Sequence, residues 1–112
     1  MALKLENYEN EQGQKIEYWR IGRIFISFAD KIVNIYMQGY VNQEARLNNK
    51  MYVEERIFNL PDIETIQNED GTTTEVEHSY PFNDDETDTY SLRPLLYTEL
   101  KKYKFFENAI DC

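Results

Sequence analysis

The 112-residue chain has one cysteine, Cys112 at its last position, so no intramolecular disulfide can staple it and a disulfide-framed secreted scaffold is excluded. A free thiol at a frayed end is the reading for Cys112. The single histidine, His78, lies in a polar, acidic stretch with no second histidine or nearby cysteine to complete a metal site, and reads as a solvent-exposed bystander. Four glycines stand singly at positions 13, 22, 39 and 71, which rules out a glycine-rich phosphate loop. No apolar run approaches the roughly 18 residues of a membrane span, and the first residues turn polar at once, without the apolar core of a signal peptide. A nucleophile triad has no support in the sequence, and carboxylate pairs among 21 acidic residues arise by chance. The expectation is a non-enzymatic protein made in a reducing cytoplasm, with no cofactor, no metal and no membrane contact.

Basic residues are missing from one region in particular. Residues 1–53 hold seven Lys/Arg against six Asp/Glu, whereas residues 54–112 hold five against fifteen, for a total of −9. Between residues 54 and 90 Arg56 alone faces twelve carboxylates, a potential that repels a phosphate backbone, so nucleic acid is not an expected partner. The cluster Tyr18, Trp19, Arg20, Arg23 and Phe25 has the composition of an aromatic-basic platform, but its alternation reads as a sheet surface.

What the chain does have is aromatic and β-branched residues in alternation. Nine Tyr and six Phe supply large rings to a core that one domain of this length can bury. Residues 16–41 read as one long hairpin around Ala29-Asp30-Lys31, with Ile24, Ile26 and Phe28 on one side of the first run, Phe25 and Ser27 on the other, and Gly22 marking a bulge or bend. After the turn, Val33, Ile35 and Met37 alternate with Asn34, Tyr36, Gln38 and Tyr40, so one face is covered and the other presents tyrosines. Residues 42–50 read as a connection with one helical turn. Residues 51–58 form a third strand ended by Leu60-Pro61-Asp62, and Asp70-Gly71 between two β-compatible runs marks an exposed hairpin flap.

Leu92, Leu95, Leu96, Leu100 and Tyr103 recur at helical spacing, with Ser91 a candidate N-cap and lysines where the dipole favours them. The stripe is expected to lie on the sheet. The chain then divides as one β-rich domain, 1–112: an N-terminal arm 1–14, strands and hairpins 15–77, an acidic loop 78–90, a helix 91–104 and an extended tail 105–112. The fold class is mainly β, an antiparallel β-sandwich-like domain with one C-terminal α-helix. The expected core is Trp19, Ile24, Ile26, Phe28, Val33, Ile35, Met37, Leu96 and Leu100.

Two features invite ligand chemistry. The run Asn83-Asp84-Asp85-Glu86-Thr87-Asp88 has oxygen ligands at a density that suits Ca²⁺, but lacks the glycine and distal glutamate of a calcium loop, so a solvated acidic loop is the reading. Tyr36 and Tyr40, taken as exposed, suit sugar stacking or a protein interface. A partner surface is expected on the nearly neutral half, around Tyr36, Tyr40, Asn42 and Arg46, since interfaces enrich Tyr and Arg and deplete carboxylates.

The segments Tyr18-Trp19-Arg20-Ile21, Gly39-Tyr40-Val41-Asn42-Gln43-Glu44-Ala45-Arg46 and Phe106-Glu107-Asn108-Ala109-Ile110-Asp111-Cys112 resemble those of small acidic proteins encoded among the tail and baseplate genes of siphophages and prophages of Gram-positive bacteria. The resemblance covers the first half and the last dozen or so residues, and leaves out residues 62–88. It implies a phage tail or baseplate-associated structural or adaptor protein, bound to other tail proteins, present in the host cytoplasm during synthesis and in the virion tail afterwards. It transfers no catalytic residues. A cytoplasmic phage accessory protein, either an assembly chaperone or a host-interaction factor, is one alternative. A sugar-binding module of the adsorption apparatus is the other.

Overall fold

The computed structural model describes residues 2–82 and 92–112. It is mainly β, with antiparallel sheets and a C-terminal helix, as the alternation predicts. The long hairpin is strands β2 (Tyr18–Ser27) and β3 (Ile32–Tyr40). Its turn spans 28–31, with Lys31 at φ 55° and the Ser27 hydroxyl donating to Asp30 Oδ2 at 3.0 Å. The residue budget of β2 and β3 differs by one at Gly22: Ile21 sits opposite Met37 and Arg23 opposite Tyr36. That bulge keeps Trp19 and Ile21 on the same face as Ile24 and Ile26, which a regular strand of period two would not do. The irregularity expected at Gly22 is thus a bulge within one continuous strand.

Strand β4 (Glu54–Leu60) pairs with β3 and places Phe58 and Leu60 inward against Ile35 and Val33. The 1–14 segment departs from expectation. Leu3–Lys4 forms a strand, β1, that lies between β2 and the C-terminal strand β7 (Ile110–Asp111), and Ala2, Leu3 and Leu5 are buried. The sheet therefore runs β4-β3-β2-β1-β7. The arm shows no periodicity because only two alternate positions, Leu3 and Leu5, carry large apolar side chains into the core.

Helix α1 (Gln43–Leu47) is the predicted helical turn. Helix α2 (Leu92–Leu100) is shorter than the predicted 91–104, and the chain continues through a 3-10 turn, Lys104–Phe106. Ending the helix at Leu100 lets Tyr103 and Phe106 turn inward, where both are buried, so the expected tail is part of the core. Ser91 lies outside the described residues. The predicted flap is a separate two-stranded sheet, β5 (Asp62–Gln67) and β6 (Thr73–His78).

The core fills one side of the five-stranded sheet. Trp19, Val33, Ile35, Met37, Leu60, Leu96, Leu100 and Phe106 have no exposed surface, and rings meet edge to face at Trp19–Phe105 (5.3 Å) and Phe58–Tyr103 (4.9 Å). Full burial of a ring the size of Trp19, at about 25 cal/mol per Å² over some 150 to 250 Å², stabilises by roughly 4 to 6 kcal/mol before entropy is set against it. Gly39 makes room for it: a Cβ there would stand 2.8 Å from the Trp19 ring and 2.7 Å from Ile16. Two expected core residues are only partly buried, Ile24 and Ile26, and Phe28 is 55% exposed because it belongs to the turn and not to the strand.

Candidate interaction surface

The molecule measures 42 × 42 × 20 Å. A thickness of 20 Å admits two layers at the roughly 10 Å spacing of packed elements, and α2 with the 3-10 turn supplies the second layer on the core side. Among the described residues the opposite face of β2, β3 and β4 is open. Pairing fixes its rows: Arg20, Gln38 and Glu55; then Arg23, Tyr36 and Ile57; then Phe25, Asn34 and Asn59. Phe25 is 57% and Ile57 55% exposed, and Ile32, next along β3, is 40% exposed. Arg23 bridges the strands, 3.3 Å from Glu55 and with its guanidinium 4.5 Å over the Tyr36 ring. Glu55 also accepts from Gln38 Nε2 at 3.2 Å.

The four residues expected to form the partner surface do not share one exposed patch. Tyr36 lies on the open face, half-buried beneath Arg23. Tyr40 is on that face too, yet it is buried: Tyr18 and Tyr52 meet its ring at 6.1 and 6.5 Å, and Arg46 of α1 lies over it at 6.0 Å. The exposure assumed for Tyr40 is thus overturned by a helical turn that folds back on the sheet. Asn42 is the N-cap of that turn, its Oδ1 accepting from the Ala45 amide at 2.8 Å. Alternation identified the face correctly but could not show that α1 closes one end of it. Phe25 and Ile57, the most exposed large apolar residues on the face, were read only as strand residues.

His78 is not the solvent-exposed bystander its acidic surroundings suggest. Its side chain has no exposed surface. Alternation puts His78 on the same side of the β5–β6 hairpin as Glu64, whose Oε1 is 3.1 Å from Nε2, and the ring stacks on Tyr103 at 3.7 Å with an interplanar angle of 8°. A carboxylate only accepts, so Nε2 carries the hydrogen and Nδ1 is left buried without a hydrogen-bond partner among the described residues. Glu64 also accepts from the Lys104 amide at 3.3 Å, and the Tyr103 hydroxyl donates to the Asn59 carbonyl at 2.8 Å. Burial, and the nearby carboxylates of Asp62, Glu64 and Glu99, push the Tyr103 phenol well above its ordinary value. This cluster fastens the hairpin to the body of the protein. Among the described residues no nucleophile is bonded to His78.

A third polar group sits at the margin of the core, where the Tyr8 hydroxyl lies 2.9 Å from Glu54 and accepts from Arg56 at 2.8 Å, and the Arg56 guanidinium covers Phe105 at 4.1 Å. Among the described residues no group of three His, Cys, Asp or Glu side chains could hold a metal ion. The segment 83–88, weighed for Ca²⁺, lies outside the described residues. No described helix is long and apolar enough to cross a membrane. No family model, no curated protein and no solved structure matches this chain.

Proposed function

We propose that this is a non-enzymatic structural or adaptor protein of a phage tail or baseplate, acting through protein–protein contacts on its open sheet face. One observation supports the contact role: Phe25, Ile32 and Ile57 are all exposed on one face of a sheet whose other side is packed. Exposed apolar side chains on a shared face favour an interaction site. The phage setting is drawn from the resemblance of 18–21, 39–46 and 106–112 to small tail-module proteins.

A protein partner is favoured over a sugar because Tyr40 is covered and Tyr36 lies under Arg23, which leaves Phe25 as the exposed ring among the described residues of the face, beside aliphatic Ile32 and Ile57. Mass spectrometry of purified phage particles tests the reading. Peptides of this chain should appear in the tail fraction, and Ile57→Glu should remove them. Particles that lack the protein altogether would instead favour a cytoplasmic accessory role.

A further inference from the structure

We infer that the open face of β2, β3 and β4 binds a second copy of this chain, sheet against sheet, about a two-fold axis running along β3. The inference rests on the reading that this face is a contact surface, and it names the occupant.

Of the nine side chains in the three rows, the only anion is Glu55, although the chain as a whole carries 21 acidic residues and a net charge of −9. Two such chains repel one another at a distance, and within a Debye length of about 8 Å they meet at least cost where carboxylates are few. This face is such a place.

The arrangement of the charges is also self-complementary. Arg20 and Arg23 lie on β2, Glu55 on β4, and β3 runs between them. A two-fold axis along β3 and in the plane of the interface sets β2 of each copy over β4 of the other at the same height. Arg20 then meets Glu55 of the second copy, twice over, and Tyr36 faces Tyr36. Phe25 and Ile57, one row apart, come within reach of each other across the interface. The alternative axis, across the strands, would stack β2 on β2 and bring arginines together. Arg20 has no ion-pair partner within its own chain among the described residues, whereas Arg23 is already engaged with Glu55. Pairing two copies supplies Arg20 with its counter-ion.

The area sets the strength. Three strands about 4.8 Å apart and eight residues long cover roughly 350 to 400 Å² per copy, against about 800 Å² per partner in a standard interface. An interface of this size belongs to the weak, transient class.

Sedimentation equilibrium from low-micromolar to submillimolar protein tests this. Wild type should pass from monomer to dimer, and Ile57→Lys, which faces Arg23 of the second copy across the axis, should remain monomeric with an unchanged circular dichroism spectrum. Arg20→Glu and Glu55→Arg should each weaken self-association at least tenfold, since each homodimer then holds two like-charge contacts. Mixed in equal amounts, the two variants should form a heterodimer, because every contact across the axis again joins Arg to Glu. A fold defect cannot produce that recovery. Wild type that stays monomeric throughout, or a mixture no more associated than its components, would overturn the inference. If wild type is monomeric while Ile57→Glu still disappears from particles, the face binds a different chain and the proposed function stands without this inference.

Discussion

Replacing Tyr97 by Phe removes one oxygen atom from a buried site. The Tyr97 hydroxyl, carried by α2, accepts the Ile21 amide hydrogen at 2.8 Å, immediately before the Gly22 bulge, and Ile21 is 2% exposed. Phenylalanine keeps the ring and its packing, so no cavity forms. What is lost is a net hydrogen bond of about 0.5 to 1.5 kcal/mol, together with the larger penalty of an orphaned buried donor, about 1 to 3 kcal/mol. Because Ile21 is buried, the second figure governs, and a loss of roughly 1 to 3 kcal/mol is expected. At about 4 °C per kcal/mol for a domain of this size, the melting temperature should fall by about 4 to 12 °C. Urea unfolding should show a lower midpoint at an unchanged slope, since the same surface is exposed. Hydrogen exchange at the Ile21 amide should accelerate more than at its strand neighbours. A loss below about 0.5 kcal/mol, within the range of neutral surface changes, would mean that this amide has another partner and that α2 is not tied to the bulge.

Gly39→Ala should destabilise by about 1 to 3 kcal/mol through overpacking against Ile16 and Trp19, and near-native stability in denaturant would show that the Trp19 ring has room to move. His78→Ala should cost about 1 to 3 kcal/mol, because Glu64 loses its donor and Tyr103 its stacked neighbour; an unchanged unfolding midpoint would mean that the cluster does not hold the hairpin. Burial raises the phenols of Tyr97 and Tyr103, so their neutral forms are favoured in the folded state. That stability is complete below the unfolded value of about 10 and is lost as pH rises through the folded values. Thermal scans from neutral pH into strong alkali should show the melting temperature dropping above pH 10, and Tyr103→Phe should lessen the drop; equal profiles for wild type and variant would refute the assignment.

The hairpin of β2 and β3, the bulge at Gly22, the Asp70-Gly71 turn and the apolar stripe of α2 were legible because each is written in neighbouring residues: alternation, a lone glycine, a turn pair, a helical period. What was missed depends on distant partners. Leu3 becomes part of the sheet only because Trp19 and Asp111 flank it. His78 is buried by Tyr103, which arrives from beyond α2. Tyr40 shares its strand face with exposed residues, and only the return of α1 covers it. Phe28 failed for a local reason: the turn began one residue earlier than Ala29, and the alternation was carried one position too far. On the interaction surface, alternation placed Tyr36 correctly, whereas the prominence of Phe25 and Ile57 depends on the open layer beneath them, which no single strand reveals.

The order β4-β3-β2-β1-β7 has a consequence for how the chain folds. The meander of β2, β3 and β4 joins elements that are neighbours in sequence, so its loops close at small entropic cost and it can assemble early. The last rungs are different in kind. Leu3 lies opposite Asp111, and the Ala2 and Cys112 backbones exchange hydrogen bonds of 3.0 Å, which closes a loop of almost the whole chain. Loop-closure entropy grows only slowly with length, but it must be met before the contacts that offset it form, and such long-range pairing slows folding. The core side of the meander is covered by segments that come after it, α2 and Phe106, so a growing chain holds an incomplete sheet with its core face bare until residues 92–106 have been added.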